Sequence, residues 1–300
     1  MNLKQLAYLA ALHKTSSFTL AAKACGVSQS TLSGGIAALE ATLNASLVER
    51  GTQYVRFTPV GEGVVARAGA MLTAAHDLQA FVDSGNQPMQ GTLTVAAIPS
   101  IAPFLLAPFI LAVQAQYPKL KVLLREQQTE PLLAHVREGT LDMGIMALPY
   151  DTTGLHVLPI YAEPLLLISA ASDQLAGILH PTLSDLEPQR LILLQEGHCL
   201  REHTLQSCSV AERSAAAIEA SSLATLVQLV EAGLGVALLP AMAVRSRLVA
   251  PGIAGGTLVA RSFAKPAPQR TIALVTRHTH SQQQAFAALA AVVKRLVQGA

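Results

Sequence analysis

Apolar positions change their spacing along the chain, and each change marks a new kind of element. Leu6, Leu9 and Leu12 recur at helical intervals, and a second short helix runs through Leu20, Ala21, Ala22 and Cys25. Gly26 turns the chain and Ser28 is a natural N-cap; Leu32, Ile36, Leu39 and Leu43 then line one face of a third helix. The β-prone run 54–57 suits one strand of a wing. Residues 59–86 read as one longer helix. Its stripe of Val64, Val65, Ala68, Met71, Leu72, Ala75, Leu78 and Val82 calls for a partner helix. Residues 85–91, with Asn86, Gln87 and Pro88, read as a linker.

Beyond residue 92 the pattern becomes strand–helix–strand. Strands are expected at 92–98, 122–126 and 141–148, with helices at 104–116 and 131–138 between them. Such alternation predicts parallel sheets covered on both faces. Strands at 165–170, 190–194, 215–220 and 236–239 suit a second unit, while 269–276 and a last helix at 283–297 return to the first. The expected fold class is α/β: a winged helix-turn-helix, a long linker helix and two Rossmann-like lobes. The boundaries expected are 1–58 for the winged domain, 59–87 for the linker helix and 88–300 for the rest. Within that last part, lobe I takes about 88–161 plus 268–300, and lobe II about 162–267.

Composition narrows the classes. Half the residues are apolar (51%) and only 13% are charged, which suits packed cores and excludes a disordered chain. A net charge of +2 does not announce a nucleic-acid binder, so any DNA contact depends on where charges sit. No apolar run approaches the roughly 18 residues of a membrane helix. Leu6–Leu12 imitates a signal-peptide core but runs on into His13, Lys14, Thr15 and Ser16 without a cleavage site. A cytoplasmic location with no membrane partner is therefore expected, and three cysteines suit a reducing compartment.

Two segments carry chemistry. A helix-turn-helix needs small polar side chains at the start of its second helix, where they reach base edges and phosphates of double-stranded DNA. Ser28, Gln29, Ser30, Thr31 and Ser33 occupy that place; Gln29 can read adenine through its amide, and Arg50 and Arg56 flank the wing where they suit the DNA backbone. The run Phe18, Ala21, Ala22, Ser28-Gln29, Leu32-Ser33, Ile36, Leu39-Glu40, Leu43, Leu47, Arg50, Thr58 and Gly61 resembles the signature of LysR-type transcriptional regulators. That resemblance covers essentially the whole chain. It implies a periplasmic-binding-protein-like regulatory module, promoter DNA and RNA polymerase as partners, and a homodimer or homotetramer joined through the linker helix. Ser30 stands where the family often has proline, Asn44 where glycine is usual, and Gln53 where a basic wing residue is common. Gly34 and Gly35 inside the third helix each cost about 1 kcal/mol relative to alanine.

The second segment is Gly197-His198-Cys199-Leu200-Arg201, with Cys208 nine residues on. A helix N-terminus, His198 and Arg201 all favour a Cys199 thiolate, the form that attacks peroxide. Other readings stand beside this one. The cysteines can be small buried core residues, or His198, Cys199, His203 and Cys208 can hold zinc, although no CxxC unit is present. A thiol peroxidase is a third, which would leave the helix-turn-helix unused. Together with Ile98-Pro99-Ser100, Gln128-Thr129, Ala220–Leu223, Gly233–Pro240 and Arg270-Thr271, the segment resembles the peroxide-sensing branch of the LysR family.

That likeness implies a regulator of oxidative-stress genes, not an enzyme, with no cofactor and no metal. In it, Cys199 is the peroxidatic thiol, Cys208 resolves it as a disulfide, and Ser100, Thr129, His198 and Arg270 form the hydrogen peroxide pocket. Ser100 replaces the threonine usual there, keeping the hydroxyl and losing the methyl that fixes its rotamer. The alternative within the family is a small organic effector bound between the lobes, with the cysteines incidental. Asp142 and Glu163 are expected to cap or solvate chain ends. No GxSxG, HExxH or phosphate-binding glycine loop occurs.

Overall fold

Leucines three and four positions apart give the N-terminal unit its core. The computed structural model describes residues 1–50, 55–83, 89–208, 218–278 and 283–298, and the chain divides into two units, Met1–Val82 and Asp83–Ala300. In the first, α1 (Leu3–Thr15) is capped by Asn2, α2 (Phe18–Ala24) by Ser17 and α3 (Gln29–Leu43) by Ser28. Leu6, Leu9, Leu12, Leu32, Ile36 and Leu39 are all buried together, as the spacing predicted. β1 (Val48–Arg50) pairs antiparallel with β2 (Val55–Phe57) to form the wing. Tyr54 and Gln53 lie outside the described residues. Glu40 pins the wing to α3: its Oε1 accepts the Leu47 and Val48 amides at 2.8 and 3.1 Å.

The propensity cost assigned to Gly35 has a packing reason. A Cβ there would sit 2.7 Å from the Tyr8 ring, so glycine is what lets α1 and α3 approach. Gly34 faces open space, and nothing in the structure explains it. α4 (Pro59–Asp83) buries Ala68 and Thr73 but leaves Met71, Leu78, Phe81 and Val82 between 44% and 65% exposed. Its apolar stripe therefore has an open side within the chain. No helix among the described residues is long and apolar enough to cross a membrane.

In the second unit, β3 (Gly91–Ala97), α5 (Ala102–Gln116), β4 (Leu120–Glu126), α6 (Thr129–Glu138) and β5 (Met143–Leu148) alternate as expected. β3 runs parallel to both β4 and β5. β6 (Leu155–Ala170) is one strand of 16 residues, of which only the part from Leu165 is legible as a strand; Pro159 and Pro164 interrupt the pattern before it. Its first half pairs antiparallel with β11 (Gln269–Arg277), which also lies antiparallel to β5. β7 (Ile192–Leu194) and β8 (Ile218–Ala220) form a separate parallel pair. The second half of β6 pairs antiparallel with β9 (Ala237–Pro240) and β10 (Leu258–Ser262).

The main sheet is therefore mixed, in the order β10-β6-β11-β5-β3-β4, with β9 also on β6. Wholly parallel sheets fail as an expectation because the chain re-enters the first lobe through β11, against the direction of β5. Two hydrophobic cores result. One gathers around Phe109, Ile145, Leu274 and Phe286, the other around Leu167, Leu193, Val227 and Leu239. β6 and β11 sit where these two cores approach, and the polar site described next is built there.

Candidate functional site

At the start of α3, Ser28, Gln29, Ser30 and Thr31 are exposed and Ser33 is half-buried. Ser28 Oγ accepts the Thr31 amide at 3.1 Å and hydrogen-bonds the Ser30 and Thr31 hydroxyls at 2.9 and 2.8 Å. Gln29 Oε1 accepts from the Thr19 hydroxyl at 3.2 Å, which ties its amide toward α2. Arg56 is exposed on β2, opposite Glu49. Arg50 lies opposite Val55 in the backbone register, and its side chain is outside the described residues.

The second site forms where α7 (Cys199–Cys208) begins. Gly197, at φ +86°, swings the chain from β7 into that helix; a Cβ there would lie 2.8 Å from the Gln128 amide oxygen. The turn buries Cys199 to 3% exposure. Around it gather Ser100 from the loop after β3, Thr129 at the start of α6 and Arg270 near the start of β11, all buried. Arg270 Nη1 donates to Ser100 Oγ at 2.6 Å and Nη2 to the Ser100 carbonyl at 3.1 Å.

A fourth residue, missed at the sequence level, holds this arrangement. Glu163 is fully buried, accepts Arg270 Nε at 2.9 Å and also accepts the Met242 amide at 2.9 Å. It does not solvate a chain end. Asp142 departs from expectation in the same way: buried, it accepts the Thr94 amide at 2.7 Å and lies 3.7 Å from Arg277. Both replace solvent by fixed donors, which is what a buried carboxylate requires.

Electrostatics at the thiol also differ from expectation. Burial pushes the Cys199 thiol up, and the Arg270 guanidinium and the Thr129 and Ser100 hydroxyls pull it partly back. Arg201 is engaged elsewhere, donating to the Leu194 carbonyl at 3.0 Å and to Glu219 at 2.7 Å. His198 is half-buried, and burial lowers its pKa against the opposing pull of the Glu126 carboxylate. It lines a cleft of about 460 Å³ with Pro99, Phe104, Gln128, Leu223 and Leu248.

Arg270 is thus the cation that serves the thiol. The Thr129 hydroxyl faces the sulfur without closing a hydrogen bond of normal geometry. His203, one helical turn past Cys199, is buried and held down to about 4 by burial and by Arg270. Among the described residues, no three His, Cys, Asp or Glu side chains lie close enough to hold a metal ion. The side chain of Cys208, at the far end of α7, is outside them.

A three-helix head with a wing, followed by a two-lobed α/β module, is the architecture of a DNA-binding transcriptional regulator. Comparison with known proteins gives the family. Residues 3–62 match the bacterial regulatory helix-turn-helix of the lysR family, and residues 86–298 match the LysR substrate binding domain. The chain belongs to the LysR family of transcriptional regulators. It is 42% identical to the HTH-type transcriptional regulator EstR of Acinetobacter baylyi over 296 residues, covering 98% of this chain and 97% of that one. It is also similar to solved structures of OxyR. One is a full-length Cys-to-Asp variant from Pseudomonas aeruginosa (TM-score 0.76, 33% identity, 98% of this chain and 95% of that one). Another is an H2O2-bound Cys-to-Ser variant from Corynebacterium glutamicum (TM-score 0.67, 33% identity, 99% and 93%).

Proposed function

We propose that this regulator responds to hydrogen peroxide through reversible formation of a Cys199–Cys208 disulfide. The observation that carries the reading is the convergence of Ser100, Thr129 and Arg270 on a buried thiol at the head of α7. The likeness to an OxyR solved with H2O2 supports it. The Cys199 sulfur attacks one peroxide oxygen; the S–O bond forms, the O–O bond breaks, and the departing oxygen leaves as water with the thiol proton. The Cys208 thiol then attacks that sulfur, forming S–S and expelling a second water. Arg270 stabilises the attacking thiolate, Thr129 and Ser100 hold the peroxide, and His198 guards the approach from the cleft.

The fold makes the second step a conformational event. Cys199 and Cys208 are the two ends of α7, nine steps of about 1.5 Å apart, or about 13 Å. A disulfide needs Cα atoms within about 7 Å, so α7 must unwind. Two subunits pairing through the open apolar side of α4 would transmit that change into the spacing of the reading heads, as bistable interfaces do. In this reading 1–58 reads DNA, 59–87 dimerises, and 88–300 senses, with lobe I at about 88–161 plus 268–300 and lobe II at about 162–267. Ser28, Gln29, Ser30, Thr31 and Ser33 meet promoter DNA from α3, and Arg50 and Arg56 from the wing. RNA polymerase is the downstream partner, and the cytoplasm is the compartment that reduces the switch again.

Peptide mapping tests this. Brief stoichiometric peroxide, thiol blocking and trypsin cleavage after Arg190, Arg201 and Arg213 put Cys199 and Cys208 on separate peptides. The two peptides should become linked while Cys25 stays free; if both remain reduced, the reading fails. A second reading has its own observation: the cleft of about 460 Å³ beside His198 suits a small organic effector. A Cys199→Ser chain that still switches its DNA binding would favour it.

A further inference from the structure

Buried polar groups in folded proteins nearly always have partners, and the exceptions mark places where something small is missing. Among the described residues, Thr129 Oγ1 and both ring nitrogens of His203 are buried without a hydrogen-bond partner. These atoms belong to one neighbourhood. His203 follows Cys199 by four positions within α7, which puts both side chains on the same helix face. The Arg270 charge acts on both, and Thr129 faces the same thiol.

An apolar side chain of equal size would fill this space at lower cost, since each unsatisfied polar group costs about 1–3 kcal/mol. Burial and the neighbouring guanidinium keep the imidazole neutral. A neutral imidazole offers one donor and one acceptor, which matches a molecule that both donates and accepts.

We propose that His203 is a further member of the peroxide site, its neutral imidazole donating a hydrogen bond to the oxygen that departs when Cys199 attacks. This rests on the peroxide-sensing reading above. One S–O bond forms, the O–O bond breaks, and the thiol proton ends on the departing oxygen as water, so His203 neither gains nor loses a proton overall. Its contribution is to the developing charge on that oxygen, where a preorganised donor acts most strongly.

The test uses the full-length chain with Cys208→Ser, so that only the first oxidation is followed. Sulfenic acid formation at Cys199 is timed with hydrogen peroxide by dimedone trapping. Labelling by methyl methanethiosulfonate is timed in parallel, because that reagent needs the thiolate but has no O–O bond. His203→Leu and the closer-sized His203→Met should slow oxidation about tenfold, the worth of one hydrogen bond, and leave labelling within twofold. His203→Gln, whose amide also donates, should recover most of the rate. If either folded apolar variant oxidises within twofold of the parent, or if both reactions slow equally, the assignment is overturned. If the parent itself forms no adduct with peroxide although the thiosulfonate labels Cys199, the sensing reading fails and this assignment falls with it.

Discussion

Two helix beginnings in this molecule carry short polar side chains, and they are built in opposite ways. At the head of α3, Ser28, Gln29, Ser30 and Thr31 stand in solvent and satisfy one another through the Ser28 hydroxyl. At the head of α7, the polar groups around Cys199 are buried, bound to a buried ion pair, and partly unsatisfied. Exposed groups lose little while waiting for a large partner, because water serves until the partner arrives. Buried groups cannot be served so freely, and each one left unsatisfied costs stability. The first arrangement suits a DNA surface, the second a molecule the size of peroxide. The same local device, a helix start with hydroxyls, is thus placed by burial in two opposite surroundings.

The largest effect that would break this contrast lies in the buried ion pair. Glu163→Gln leaves Arg270 as an uncompensated buried charge and should destabilise the second unit by about 3 kcal/mol, at the low end for such losses. Urea unfolding of the full chain, followed by tryptic susceptibility of the second unit, measures it. A loss below about 1 kcal/mol would mean that the pair is solvated and that the thiol site is no more closed than α3.

Much of this was legible in the sequence, and what was not has a common cause. Periodicity found α1, α3, α5 and α11 because apolar spacing reports which face of one element is buried. It did not find β6 as a continuous strand, because Pro159 and Pro164 break the alternation. The polar run from Ser28 to Ser33 at the head of α3 is local, and its cap and helix start were readable from the sequence. Ser100, Thr129 and Arg270 came only through likeness to the peroxide-sensing branch. Arg270 meets Glu163 across 107 positions and Ser100 across 170, separations at which spacing carries no signal. The role of Glu163 escaped for that reason, whereas His203, four positions from Cys199, was read only as a possible zinc ligand. The thiol's environment escaped because burial, which raises the Cys199 pKa, is not visible in neighbouring charges.

The next effect follows pH. His203 titrates near 4 in the folded chain against an ordinary value near 6.5, so the unfolded chain takes up its proton first. Stability is then full above pH 6.5 and is lost as pH falls toward 4, by about 2 kcal/mol between pH 6.5 and 5. Over that window most carboxylates remain ionised, so His203→Gln should flatten the slope. An unchanged slope would mean that His203 is open to water in solution, and the closed character of the α7 site would be lost with it.

At the exposed end the expected effects are smaller. Ser28→Ala removes the cap that accepts the Thr31 amide at 3.1 Å and should cost about 1 kcal/mol of stability in the first unit. Because Ser28 also orders the Ser30 and Thr31 hydroxyls, affinity for a promoter fragment should fall with little change in base preference. A change in preference at one base instead would move Ser28 from organising the helix start to reading sequence.

The smallest effect sits at the opposite end of α3. Asn44 closes that helix at φ 49° and ψ 43°, a left-handed conformation that costs a residue with a Cβ more than glycine. Glycine there relieves that strain but frees the unfolded chain, so the two terms oppose and the net gain for Asn44→Gly should be about 0.5 kcal/mol. The side chain lies at the far end from Ser28 and Gln29, so DNA affinity should stay within twofold while the melting temperature of the first unit rises slightly. If affinity shifts with stability, the start of α3 is not a preformed surface and its residues are ordered only on binding. The distinction between an exposed site that is already complete and a buried site that awaits a guest would then have to be given up.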